Sequence, residues 1–486
     1  ASLPATRAAE APDAPALRDD NLEFDNTQLD AAVTAAAAKL REVGVQQGDV
    51  VALLLPNRAE LIVALFASWR LGAAVTPINS VLNTAEVAHQ FHDAGAKVMV
   101  TVDGTTPVEG AIGLSCEDLG IGGPEPADPP AAVELAPRDL ATLIYTAGTT
   151  GKPKGVMIDH GNIDAMTESF IEHLSMTAED HSLLVLPLFH ANGVVLGTLT
   201  PLRAGGQATI MGRFKPDTFF DAVEKHRPTY FSAVPAIYAM LTALPEDVKP
   251  DTSSLRLVVC GAAPMPAELI GKFEKRYGVV LVEGYGLSET TTASAINPVE
   301  GLRKAGTVGT VLPGQEIKIL AEDGTEAPQG EAGEVLIKGP VIMQGYLNKP
   351  EDTAKTLVDG WLHTGDVGKF DEDGYLVLVD RVKDMIIRGG ENIYPKEIEA
   401  AIYENPDIFE AAVVARPHDV LGENPMAYIS LNEGATTTPE SLLEELTGKL
   451  SKYKLPVAII VLEEIPKNPV GKIDKPTLRK RPETAG

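Results

Sequence analysis

Cysteine is scarce in this chain: Cys116 and Cys260 are the only two in 486 residues, too few and too far apart for a disulfide framework or a thiolate zinc site. A reducing, cytoplasmic location is expected. No stretch approaches the roughly 18 consecutive apolar residues that a membrane span requires. The opening ASLPATRAAEAPDAPAL has no basic start leading into an apolar core, so secretion is not expected either. Basic runs are missing as well. Against 41 Lys and Arg stand 68 Asp and Glu, a formal charge of −27, and the most basic stretch is LRKRPE near the end. A nucleic-acid or anionic-membrane partner is therefore not expected. Internal repeats and low-complexity tracts are absent.

What is present begins with Tyr145–Gly155, YTAGTTGKPKG. Gly148, Gly151 and Gly155 let main-chain N–H groups approach an anion with no Cβ in the way, Thr146, Thr149 and Thr150 add donors, and Lys152 and Lys154 add charge. Polyphosphate binding is one reading and a Gly- and Thr-rich turn between two strands is the other. The P-loop of nucleotide triphosphatases does not fit: it needs four residues between its first Gly and Gly-Lys, then Ser or Thr, whereas here the spacing is shorter and Pro153 follows Lys152.

The length exceeds what one hydrophobic core serves, so more than one folding unit is expected. Apolar runs bounded by Gly, Pro and Asp (VVALLL, KVMVTV, LLVLPL, RLVVCG) alternate with segments of helical spacing (DAAVTAAAAKLREVG, AELIVALFASWRLGA, AELIGKFEKRYG). This is the pattern of an α/β unit with parallel sheets. From about Gly309 the strands shorten and alternate, as in EIKILAEDGTEAP, GEVLIKGP and DEDGYLVLVDR, which predicts an antiparallel, barrel-like subdomain. Beyond Arg381 a Pro-initiated helix, strands AAVVA and AYISLN, a further helix and a last strand AIIVLEEIP predict a small α+β domain. The expected division is residues 1–380 and 381–486, joined by DRVKD, which carries charge without an apolar run and reads as an exposed linker.

Other segments are ambiguous singly. EGYGLSE sets Tyr285 between Gly284 and Gly286 and offers Glu289. A purine could stack on that ring while the acid holds Mg²⁺, or the segment could be a plain turn with a solvated acid. Asp366 in GWLHTGDVG suits ribose hydroxyls or simply ends a turn.

Taken in order, YTAGTTGKPKG, PLFH (187–190), CGAAP (260–264), EGYGLSE (283–289), HTGD (363–366), DRVKDMIIRGGENI (380–393) and PVGKIDK (469–475) resemble the successive core motifs of the adenylate-forming superfamily. That superfamily includes acyl-CoA synthetases, beetle luciferases and peptide-synthetase adenylation domains. The likeness runs from about Asp30 to Arg479. It implies an acid–thiol ligase in which a carboxylic acid and ATP give an acyl-adenylate and pyrophosphate, and CoA then takes the acyl group, with Mg²⁺ as cofactor. The partners implied are thus small molecules; the sequence leaves the oligomeric state open, a homodimer included.

Residue by residue, the resemblance implies that Thr146, Gly148, Thr149, Thr150, Gly151 and Lys154 hold the phosphates, with Thr149 and Glu289 near the metal. It implies that Tyr285 stacks on adenine beside Gly261, Ala262 and Ala263, within a site that includes Glu283, Gly284, Gly286 and Ser288, and that Asp366 and Arg381 take the ribose. Lys472 matches the catalytic lysine, Lys383 the hinge about which the small domain turns between half-reactions, and Gly389 and Gly390 the thiol tunnel. His190 matches the residue between acyl pocket and tunnel, where it orients the carboxylate, gates the tunnel or is a packed core histidine. Departures are mild: Ala147 stands where Ser is frequent, and Leu287-Ser288 replace Met-Thr.

Only 14 residues follow Lys472 (486 − 472), far short of the roughly 80 of a carrier domain, so free CoA is the expected acceptor. ANGVVLG lacks the Asp that amino-acid-activating relatives use to grip an ammonium, and Gly284 stands where malonate-type relatives carry Arg. A neutral acid remains. Expected walls are Phe189, Ala191, Asn192, Val234, Tyr238 and Gly286, and a medium- or long-chain fatty acid is the first expectation. An aryl acid is the alternative, with Asn192 and Tyr238 placed to grip a ring hydroxyl. A luciferase-like oxygenase and a non-catalytic nucleotide-binding scaffold are the remaining readings; intact Lys472, Glu289 and Asp366 argue against the scaffold.

Overall fold

The short apolar runs become strands that are buried on both faces, which is why they read as continuous rather than alternating. The computed structural model describes residues 2–146, 153–263, 265–381, 384–388, 391–418, 421–450, 452–467 and 472–481. By packing, residues 1–317 and 337–363 form one compact unit, and residues 318–336 and 364–486 form a second.

In the first unit a nine-stranded sheet runs in the order Thr310–Val311, Ala295–Ile296, Val280–Tyr285, Leu257–Cys260, Tyr230–Ala233, His181–Leu184, Gln207–Ile210, Pro15–Arg18, Glu23–Asp25. Neighbours from Val280–Tyr285 to Pro15–Arg18 are parallel. A seven-stranded sheet has the order Gly345–Tyr346, Lys154–Asp159, Leu140–Thr146, Ala74–Pro77, Val50–Leu54, Val98–Thr101, Ile112–Ser115. It is parallel apart from the antiparallel pairs at its first end. The parallel connections demand crossovers, and the helical segments supply them.

Helix Ala59–Arg70 is buried at every position, consistent with its almost wholly apolar sequence AELIVALFASWR. Two other helices carry capping boxes: Asp25 with Gln28 for Asn26–Glu42, and the buried Asp159 with Asn162 for His160–His173.

The alternating segment forms a five-stranded sheet from Glu316–Leu320, Gly333–Lys338, Trp361–Phe370, Leu357–Val358 and Leu376–Arg381, the half-barrel expected. The α+β portion is a second five-stranded sheet, Glu391–Ile393, Ile386–Arg388, Gly422–Leu431 and Ile408–His418, with Ile459–Val461 added parallel to Gly422–Leu431. Its core gathers Ile386, Ile398, Val413, Ile429 and Leu446.

One expectation is corrected here. DRVKD is not a uniformly exposed linker: Asp384 is 8% exposed and paired with Arg479 at 2.5 Å, because its charge is matched by a helix close to the C-terminal end. Cys116 and Cys260 are free and buried. Among the described residues no helix is long and apolar enough to cross a membrane.

Candidate active site

Strands 181–184, 230–233, 257–260 and 280–285 lie side by side and parallel, so the segments following them emerge along one edge. The carboxyl edge of such a sheet is where ligands of α/β proteins sit. It brings together four groups that are far apart in sequence: Phe189 and His190, Val234, Gly261 to Ala263, and Glu283 to Ser288.

The chain there is tightly constrained. Ala262 takes φ +69°, a conformation that costs a residue with a Cβ energy and that concentrates at functional loops. Glu283, 5% exposed, accepts from Met265 N–H at 3.0 Å and so ties down the loop after Cys260. At Gly286 an added Cβ would lie 2.2 Å from the Thr292 oxygen and 2.3 Å from Ala293 Cα; only glycine fits. Tyr285 is 9% exposed, and Ser288 opens the short turn Ser288–Thr290 that carries Glu289.

A second group gathers around Lys154. Thr146 and Lys154 face each other at the end of the antiparallel pair. The Lys154 ammonium is 2.8 Å from Asp352 Oδ2 and 5.0 Å from the centroid of the Tyr346 ring. The Tyr346 hydroxyl donates to Glu289 Oε1 at 2.8 Å. Burial, then the Glu289 charge, push the Tyr346 phenol far above its usual range, so it stays protonated and remains a donor. Its neighbour Tyr145 donates to Asp93 Oδ2 at 2.8 Å.

The PLFH segment is held by a residue that no sequence motif marks. Asn57 donates to the Leu186 carbonyl at 3.0 Å and accepts from Leu188 N–H at 2.9 Å, clasping PLFH from both sides. The helix that follows packs close, since a Cβ on Gly193 would sit 2.5 Å from the Pro187 oxygen. It widens into a π-helical turn over Val195–Leu199. Hydroxyls cap carbonyls there: Thr200 donates to Val195 at 2.8 Å and Tyr230 to Leu196 at 2.7 Å. Such turns are frequent at functional sites. His190 packs on Phe189 with centroids 4.4 Å apart. Ala191 is buried, and Asn192 Oδ1 is buried with no hydrogen-bond partner among the described residues, as is Ser232 Oγ.

Tyr238 differs from expectation. Its ring is fully buried, sandwiched between Phe231 and Phe273, and its hydroxyl donates to the Val259 carbonyl at 2.7 Å. A phenol placed in the core must pair with the nearest acceptor, so it has no donor left for a ring hydroxyl of substrate.

In the second unit Asp366, 7% exposed, pairs in register with Arg381. Gly365 before it takes φ +68° and donates its N–H to Glu334 Oε1 at 3.0 Å. Lys472 is exposed at the foot of helix Lys475–Lys480, which Asp474 caps. That helix is anchored by Arg416, whose guanidinium donates to the Arg479 carbonyl and the Tyr428 hydroxyl, each at 2.6 Å, and by Lys475 with Glu399 at 2.8 Å.

Gly148, Thr149, Thr150, Gly151, Lys383, Gly389 and Gly390 lie outside the described residues, as does the side chain of Arg381. Among the described residues no three His, Cys, Asp or Glu side chains cluster as a metal cage. Tyr346, Asp352 and Asn57 are the site neighbours not anticipated. Only GYLN, a Gly-Tyr pair like that at 284–285, carried any signal for Tyr346.

The profile of the AMP-binding enzyme family matches residues 5–347, and that of the AMP-binding enzyme C-terminal domain matches residues 397–472. A feruloyl-CoA synthase of Amycolatopsis sp is 34% identical over 487 residues, covering 99% of this chain and 98% of that protein. A long-chain-fatty-acid–CoA ligase of Bacillus subtilis is 35% identical, covering 90% and 86% respectively. The solved structure of O-succinylbenzoate coenzyme A synthetase of Bacillus subtilis with ATP and magnesium ion superposes with a TM-score of 0.88 at 30% identity, covering 99% of both chains.

Proposed function

This chain belongs to the AMP-binding enzyme family and is an AMP-forming acyl-CoA synthetase, and from that premise we propose that its acid is a neutral aryl or arylalkenoic acid bearing a hydrogen-bond donor, of the hydroxycinnamate kind. One observation carries this reading: Asn192 Oδ1 and Ser232 Oγ are both buried without a partner among the described residues. Ser232 shares a strand face with Tyr230, whose hydroxyl reaches Leu196, so it faces the helical segment from Ala191 to Leu199 that carries Asn192. Each orphan acceptor costs on the order of 1–3 kcal/mol until a donor arrives, and a phenolic hydroxyl is such a donor.

The expectation of a medium- or long-chain fatty acid stands as the second reading. Val194, Val195 and Leu196 supply apolar wall, and the Bacillus subtilis relative acts on such acids. A methylene tail would leave both oxygens unpaired.

In the reaction, a carboxylate oxygen of the acid attacks the α-phosphorus of ATP and pyrophosphate leaves; the CoA sulfur then attacks the acyl carbon and AMP leaves. A carboxylate is a poor electrophile and AMP a good leaving group, so the first step is what makes the second possible. Both reactants of the first step are anions, so the chain must supply positive charge and oriented donors. We assign Lys472 to the carboxylate and α-phosphate oxygens, Lys154 and the Thr146–Lys154 loop to the β- and γ-phosphates, Tyr285 to adenine, and Asp366 and Arg381 to the ribose. His190 stands at the acyl end. Glu289, with Thr149, would hold Mg²⁺, a hard cation that takes oxygen ligands. The ion would neutralise charge on the departing pyrophosphate. Lys383 is kept as the hinge about which the small domain turns for the second half-reaction, with Gly389 and Gly390 at the thiol tunnel.

The test is a panel of hydroxycinnamates, benzoates and fatty acids of graded length, followed by pyrophosphate release with and without CoA. Hydroxylated aryl acids are expected to lead. Asn192→Leu should lower their kcat/KM about tenfold relative to the unsubstituted ring. Faster turnover of fatty acids, with Asn192→Leu leaving aryl selectivity unchanged, would overturn the proposal.

A further inference from the structure

We propose that Tyr346 is a positioning residue for the nucleotide: its hydroxyl orients the Glu289 carboxylate and its ring carries the Lys154 ammonium, so that one side chain sets both the metal-facing and the phosphate-facing group. The inference rests on the roles assigned above to Glu289 and Lys154. Glu289 Oε1 accepts from the Tyr346 hydroxyl at 2.8 Å, which fixes the carboxylate's rotation and leaves its other oxygen for a cation. Lys154 stands 5.0 Å from the same ring's centroid, within the range of a cation–π contact, while Asp352 takes its ammonium at 2.8 Å.

Tyr346 can act in this way because the segment around it is pinned on both flanks. Its strand pairs with Val156 and Met157, directly beside Lys154. Met343 N–H donates to the Glu289 carbonyl at 2.9 Å, and the Thr291 hydroxyl donates to the Val341 carbonyl at 2.6 Å. Asn162 donates to the carbonyls of Pro340 and Ile342 at 2.7 and 2.9 Å. Gly345 approaches Thr353 so closely that an added Cβ would sit 2.6 Å from its Cγ2, and the Thr353 hydroxyl accepts from Tyr346 N–H at 2.9 Å. The segment is therefore a rigid splice between the lysine strand and the glutamate turn, and Tyr346 spans it.

The experiment measures ATP affinity by titration calorimetry, once with Mg²⁺ and once with a chelator. Tyr346→Phe keeps the ring and removes the hydroxyl. It should weaken Mg²⁺–ATP binding about tenfold, the usual loss when a partner that orients a metal ligand is removed, and leave metal-free ATP binding unchanged. Tyr346→Leu should weaken both. The double variant Tyr346→Phe with Glu289→Gln should bind Mg²⁺–ATP no worse than Glu289→Gln alone, because the hydroxyl acts through the carboxylate. If Glu289→Gln weakens Mg²⁺–ATP binding but Tyr346→Phe does not, or if the two losses simply add, the Tyr346 proposal fails while the Glu289 assignment survives. If Glu289→Gln itself changes nothing, that assignment fails first. Wild-type melting of Tyr346→Phe without nucleotide separates positioning from a folding defect.

Discussion

Replacing Gly286 with alanine puts a methyl group 2.2 Å from the Thr292 carbonyl oxygen, 2.3 Å from Ala293 Cα and 2.8 Å from Ala293 N. All three are backbone atoms, and the backbone has little room to yield: Ser294 N–H is bound to the Tyr285 carbonyl at 2.7 Å, and strand Val280–Tyr285 pairs with Ala295–Ile296 immediately afterwards. Overpacking of this kind costs about 1–3 kcal/mol, and rigid neighbours put this site at the upper end. The relief available is a shift of the turn itself, which carries Tyr285 on one side and Glu289 on the other. A displacement of about 1 Å at reacting groups costs about 10²-fold, so adenylation should fall by that order while the remainder of the unit stays folded.

Gly261→Ala is the matched control, because its Cβ would meet nothing closer than the Gly284 oxygen at 3.7 Å, an ordinary contact. That variant should melt as wild type. Pyrophosphate exchange at saturating acid, read beside circular-dichroism melts of both variants, is the assay. Wild-type exchange and wild-type melting in Gly286→Ala would refute the packing argument and, with it, the claim that this turn holds the nucleotide.

Two further outcomes are expected. Lys472→Ala should lower adenylate formation by about 10²-fold or more while sparing transfer of preformed acyl-AMP to CoA, since one transition-state charge contact is removed; equal loss in both half-reactions would contradict its role. Burial of the His181 ring, which meets Thr209 Oγ1 at 2.7 Å, lowers its pKa to about 4. The unfolded chain therefore takes up this proton first, near pH 6.5. The contribution is intact above that pH and is lost as pH falls toward 4, about 3 kcal/mol in all. A His181→Gln variant should flatten the acid limb of a urea-midpoint profile, and an unchanged limb would show that this histidine is not a source of acid lability.

The family was legible in the chain because its motifs are local. A loop that cradles phosphate needs glycines and hydroxyls within a few residues of each other, and a turn that offers a ring and an acid needs Gly-Tyr-Gly and a Glu close behind. Apolar runs bounded by Gly and Pro likewise announce parallel strands, since a strand covered on both faces has no polar side to show. Such features survive as short words, and their order identified the family.

What was not legible depends on partners brought together from far along the chain. Asn57 and Leu186 are 129 positions apart, and Tyr346 and Glu289 are 57 apart; no period or motif links them. Tyr238 had the right residue type for gripping a substrate hydroxyl, yet packing between Phe231 and Phe273 delivered its phenol to the Val259 carbonyl instead. Asp384 read as part of a solvated linker until Arg479 came to it. Composition and spacing settle which chemical groups a chain owns. Which of those groups stay available for chemistry is settled by burial, because a polar atom taken out of water must pair with whatever the fold sets beside it.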